Sequence, residues 1–159
     1  MPLIIDGYNL LRTIQKTSDE YESIDEFQLC MLVDKYIKLV KDGGEIIFDG
    51  FGPQDKSVFN SVGRLDIFFA GGGKDADTVI ENRIKANTAP KRLRVISSDR
   101  RLKKAALARK AIAIKSEVFW GNMQSVLEKK RLPKEPAEKH RGLSEIETDK
   151  WLEFFDIDQ

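Results

Sequence analysis

Short apolar runs that stop on an acid are the feature that most constrains this chain. Leu3-Ile4-Ile5 runs straight into Asp6-Gly7, and Ile46-Ile47-Phe48 into Asp49-Gly50. Leu93–Ile96 (LRVI) leads into Ser97-Ser98-Asp99. Runs this short do not make stable helices, but they suit strands buried on both faces. Arg64–Ala70 (RLDIFFA) is a further strand candidate, ended by Gly71-Gly72-Gly73, and Ile112–Ile114 is a short last one.

Helical periodicity fills the gaps between these runs. Ser23-Ile24-Asp25-Glu26 matches a capping box and opens a helix through Val40, which Asp42-Gly43-Gly44 stops. Asp75–Asn87 reads as a helix with Ala76, Val79, Ile80 and Ile84 inward, and Arg100–Lys110 as another. Ser116 caps a helix through Lys130. Asn9 is a candidate cap for a short helix through Leu10-Leu11. Strands alternating with helices indicate an α/β fold with a mostly parallel sheet covered on both faces. Right-handed crossovers then place the C-terminal ends of all strands along one edge, where such sheets bind ligands.

That edge gathers acids. Asp6, Asp49 and Asp99 each follow a strand. Asp77 lies in the first turn of the helix after the triple glycine, with Glu81 one turn further on the same face. Each acid also has a plain structural use: Asp99 and Asp75 as helix caps, Asp49-Gly50 as a turn, Asp77 as a favourable charge at a helix N-terminus. Together they place several carboxylates on one rim. Mutual repulsion there raises their pKa values unless a cation sits among them. Oxygen-rich sites of this kind suit Mg²⁺ or Mn²⁺. Two such ions about 4 Å apart can activate water against a phosphodiester.

The charge balance bears on the partner. The formal net charge is only +1, yet Arg100 to Arg141 holds 13 Lys/Arg against 4 Glu. A block of this kind favours phosphate-bearing partners or forms a solvated helix face. The single Cys30 stands in an apolar run, so a core position is expected and no disulfide-linked partner. The lone His140 argues against a His-based triad or zinc site. No stretch approaches the roughly 18 apolar residues of a membrane span, and no secretion signal is visible, so a cytoplasmic location is expected.

The quoted elements DGYN, FDG, GGGKDADTVIE and SSDRR, in this order, resemble the NYN branch of PIN-like ribonucleases, and most nearly its YacP-like group. The resemblance implies a Rossmann-like three-layer α/β/α domain over residues 1–130. It implies a Mg²⁺- or Mn²⁺-dependent endoribonuclease that hydrolyses RNA through metal-activated water. Carried over position by position, it puts catalytic, metal-binding acids at Asp6, Asp77 and Asp99, with Asp49 as a fourth metal acid. Asn9 would orient Asp6 or contact the scissile phosphate, and Ser97 and Ser98 would bond Asp99 or the substrate. Lys74, Arg100 and Arg101 would grip the RNA backbone. Single-stranded RNA is the substrate the family suggests, with the ribosome as a possible further partner. Tyr8 and Phe51 can stack on an unpaired base or simply pack.

Other readings fare worse. A haloacid-dehalogenase-like phosphatase wants a second Asp two residues after the first, where this chain has Tyr8. No G-x-G-x-x-G follows a strand, which disfavours a dinucleotide site. The remaining alternative is a non-catalytic RNA-binding or ribosome-associated module on the same fold. Residues 131–159 read as a linker with Pro133 and Pro136, then an acidic amphipathic helix, Leu143–Phe155, expected to pack back on the domain.

Overall fold

A computed structural model describes residues 2–131 of the chain. The expected C-terminal helix, its linker and its packing lie outside the described residues. Within them the order is β1 (Leu3–Asp6), α1 (Gly7–Thr17), α2 (Glu26–Val40), β2 (Gly44–Phe48), β3 (Leu65–Phe69), α3 (Ala76–Ala86), β4 (Arg94–Ile96), α4 (Arg100–Ala108), β5 (Ile112–Ile114) and α5 (Ser116–Arg131). The five strands form one sheet in the order β3-β2-β1-β4-β5. Every neighbouring pair is parallel.

Burial on both faces explains why the strands are uninterrupted apolar runs. Leu3 and Ile5 point into one core with Ile46, Phe48 and Ile96, beneath α1, α2 and α5. Ile4, Ile47 and Val95, at the alternate positions, join the second core with Val79 and Ile80 of α3 and Leu102 and Ala106 of α4. The period-2 alternation of a strand thus feeds two layers from one run. The order reverses at β1: α1 and α2 lead to β2 on one side, and α3 leads to β4 on the other. The crevice between β1 and β4 is the topological switch point.

Two local readings change. The capping box sits two residues later than Ser23–Glu26. Asp25 is the cap: its carboxylate accepts from the Gln28 amide at 2.8 Å, and the Gln28 side chain accepts from the Asp25 amide at 3.0 Å. Ile24 decides the register, because it is buried in the same core as Leu29, and these two hold the positions of a hydrophobic staple. Secondly, α1 is a full 11-residue helix that starts immediately after Asp6, driven by Leu10, Leu11 and Ile14 on its buried face. Gly7 is therefore helical, and it is there for space: a Cβ would lie 2.4 Å from the Phe48 ring.

The segment that enters β3 is anchored on a buried acid of α2. Asp34 is 1% exposed. Its carboxylate accepts from the amides of Arg64 at 2.7 Å and Leu65 at 2.9 Å and pairs with Lys38 at 3.1 Å. Buried charge of this kind is tolerated because every oxygen is engaged.

Candidate active site

The rim at the C-terminal ends of β1 and β4 is built by one hydroxyl. Ser97, 6% exposed, donates to Asp6 Oδ2 at 2.9 Å and accepts from the Asp99 amide at 3.0 Å. It fixes the Asp6 carboxylate against the backbone that carries Asp99. Asp6 stands at the N-cap position of α1, yet its side chain makes no cap bond and faces the rim instead. Burial pushes its pKa up, the Ser97 bond and the nearby Asn9 amide partly offset this, and the charges of Asp49 and Asp99 push it up again.

Asp77 completes the group from α3. Its pKa is pushed up to about 6, first by burial and then by the charges of Asp6 and Asp99, with Arg101 opposing. Among the described residues it has no hydrogen-bond donor to stabilise its ionised form. The fold therefore brings Asp6, Asp77 and Asp99 into one electrostatic neighbourhood from β1, α3 and the β4–α4 junction.

Asp99 and Asp49 also hold helices. Asp99 Oδ1 accepts from the Arg101 amide at 2.7 Å, capping α4. Asp49 Oδ1 accepts from the Ala76 amide at 2.6 Å, and Asp75 caps the same helix through Thr78 at 2.8 Å. Between them Asp49 and Asp75 satisfy first-turn amides of α3 that have no partner within the helix. This ties α3, and with it Asp77, to the end of β2.

The polar residues expected to bind substrate divide into three groups. Asn9, Ser97 and Ser98 are part of the scaffold. Asn9 Oδ1 accepts from the Ser98 amide at 2.9 Å and from Ser116 Oγ at 2.6 Å, so it stitches α1 to β4 and α5. Arg101 stands beside Asp77 but is already engaged, with Glu81 at 2.6 Å and Thr78 at 3.1 Å. Arg100 and Lys74 are exposed. Lys74 lines a groove with Val79, Asn82, Arg83 and Ala86, on the side of α3 opposite Asp77 and Glu81.

One carboxylate was missed by reading the sequence. Glu117, in the first turn of α5, accepts from Ser98 Oγ at 2.7 Å and so stands at the same rim. The signal was available, since Glu117 follows β5 as Asp99 follows β4.

All these donors are oxygens, the set that hard divalent cations prefer. As the side chains stand, no three acids, histidines or cysteines among the described residues converge closely enough to share an ion. The carboxylates sense one another's charge without touching.

A five-stranded parallel sheet with acids at its switch point is an arrangement that PIN-like nuclease folds share. The sequence matches the family model of the YacP-like NYN domain over residues 3–155, and the chain belongs to that family. The match runs past the motif-bearing stretch into the segment beyond Arg131. The fold is similar to the crystal structure of Rae1 (YacP) from Bacillus subtilis, at 17% identity and a TM-score of 0.61, over 98% of this chain and 92% of that one. A tryptophan-to-leucine mutant of the same Bacillus subtilis protein gives 16% identity and a TM-score of 0.61, over 97% and 92%. No curated protein matches the sequence. Among the described residues no helix is long and apolar enough to cross a membrane.

Proposed function

We propose that the protein is a Mg²⁺- or Mn²⁺-dependent endoribonuclease whose centre is Asp6, Asp77 and Asp99. The observation that carries this reading is the gathering of Asp6, Asp77 and Asp99 at one rim, where burial first, and neighbouring carboxylate charge after it, raises the pKa values of Asp6 and Asp77. Such a cluster is destabilising by itself and gains by taking a cation. Asp6, Asp77 and Asp99 would hold the ion, with Asp49 contributing its remaining oxygen. The chemistry such an ion supplies when bound is activation of water and stabilisation of the leaving oxygen.

The chain's own residues do the rest. Ser97 keeps the Asp6 carboxylate aimed at the rim and anchors the Asp99 backbone. Asn9 holds the Ser98 segment against α5. Arg101 balances part of the negative charge beside Asp77, and Arg100, at the start of α4, faces solvent where a phosphate backbone would pass. The RNA is single-stranded in this reading, the substrate that the family resemblance suggests. The site of action is the cytoplasm, with the ribosome as a further partner.

One observation favours a second reading, an RNA-binding module without catalysis: Asp49 and Asp99 each spend an oxygen on a helix amide. Incubation of labelled single-stranded RNA with protein and Mn²⁺, alone and with ribosomes, separates the two. Cleavage by the wild type that disappears in Asp6→Asn and Asp77→Asn supports the nuclease. Metal-independent binding without cleavage in either setting supports the module.

A further inference from the structure

Beside the rim, on the β2 side, lies an open groove of about 790 Å³. Its walls include Tyr8, Glu26, Asp49, Phe51, Val58 and Phe59. Asp49 lines the groove and also accepts from the Ala76 amide, one residue before Asp77, so the groove borders the rim. Phe51 is 69% exposed, which is unusual for a phenylalanine next to a polar site.

The fold holds Phe51 in place. Gly50 and Gly71 form a backbone bridge, with the Gly71 amide donating to the Gly50 carbonyl at 2.8 Å. Both glycines have positive φ, 75° and 79°, which side chains rarely adopt. Close by, the ring rests against Gly72, where a Cβ would come within 3.1 Å of its Cζ. One side of the ring is thus supported by glycine backbone while much of it stays open to solvent. Across the groove, the Tyr8 hydroxyl donates to Glu26 Oε2 at 3.2 Å and its ring packs edge-on against Phe48 at 5.0 Å.

The lining carries four acids, Asp25, Glu26, Asp49 and Asp55, and no Lys or Arg. A phosphate is repelled from such a groove. An uncharged, flat group with hydrogen-bond donors on its edge is not. We propose that the groove is a base-binding subsite that takes one unpaired nucleobase next to the scissile phosphate, stacked on Phe51. Its acidic lining selects bases with an exocyclic amino group. Adenine, cytosine and guanine present such donors to carboxylate oxygens, whereas uracil presents one N–H between two carbonyls that the acids repel. This inference rests on the ribonuclease reading for its substrate class.

The test uses oligouridine carrying a single 2-aminopurine at each position in turn, with the full chain in EDTA so that nothing is cut. Stacking on Phe51 quenches the fluorescence of the probe at one position of the bound strand. Phe51→Ala removes the quench and weakens binding of that strand roughly 5- to 100-fold, the usual effect of losing one stacked base. Phe51→Trp retains both. Glu26→Gln reduces the advantage of an adenine-, cytosine- or guanine-substituted strand over plain oligouridine. RNA that is cleaved with Mn²⁺ but shows no Phe51-dependent quench overturns the subsite and leaves the nuclease reading intact. A Phe51-dependent quench without cleavage of any RNA supports the subsite and counts against the nuclease. Equal affinity for uridine-only and amino-bearing strands overturns the selectivity.

Discussion

Replacing Asp77 by Asn should make the metal-free protein more stable at neutral pH. The Asp77 pKa is raised in the folded state from 3.8 to about 6. Between these values the native state keeps a proton that the unfolded chain has released. Stability of the wild type therefore falls as pH rises from about 4 to about 6, and stays at the lower level above that. The full displacement corresponds to about 3 kcal/mol. Asp77 is partly open to solvent, and screening brings the effect down to roughly 1 kcal/mol. Asn has nearly the same shape and no charge, so the variant lacks this loss. Urea unfolding in EDTA at a series of pH values should give equal stabilities near pH 4 and an advantage for Asp77→Asn of roughly 1 kcal/mol at pH 7.5, with unchanged urea dependence. Saturating Mg²⁺ or Mn²⁺ should reverse the order, because only the wild type gains binding free energy. A variant that is equally or less stable than wild type in EDTA at pH 7.5 would refute the idea that burial and the neighbouring carboxylates together disfavour the Asp77 charge.

Other perturbations follow from the same contacts. Ser97→Ala removes the donor to Asp6 and strands the Asp99 amide; thermal unfolding should report a loss of about 1–3 kcal/mol, and cleavage should fall more than RNA affinity does. Gly7→Ala drives a methyl into the Phe48 ring and should destabilise by about 1–3 kcal/mol in urea titration. Asp34→Ala leaves the Arg64 and Leu65 amides unpaired and should lower stability by roughly 2–4 kcal/mol at pH 7, measured the same way.

Much of the frame was legible because burial on two faces leaves an unmistakable mark. Strands such as Ile4-Ile5 and Ile46-Ile47-Phe48 cannot be anything half-exposed, and the acids after them must share an edge once the sheet is parallel. Asp6, Asp49 and Asp99 fell on one edge in that way, while the choice of Asp6, Asp77 and Asp99 as the centre came from the family resemblance. What escaped were choices settled by tertiary contact. Ser23 and Asp25 both begin acceptable capping boxes, and only the burial of Ile24 selects Asp25. Gly7 looked like a turn residue because the Phe48 ring above it is 41 positions away in sequence. Asn9 and Ser98 carried no sign that they bond each other across 89 residues. Lys74 sits near Asp77 in sequence, but the helical rotation of α3 turns their surroundings to opposite sides. Tyr8, without a clear purpose in the sequence, is now a wall of the groove beside the rim, tied to Glu26.

Binding of Mn²⁺ to the metal-free protein, followed by electron paramagnetic resonance, tests the central claim without requiring the right RNA. The carboxylate cluster predicts saturable binding by the wild type that is lost or weakened at least about tenfold in both Asp6→Asn and Asp77→Asn, each removing one anionic ligand, while both variants remain folded. Saturable binding that is unchanged in both variants, or no binding by the wild type at millimolar Mn²⁺, would contradict it.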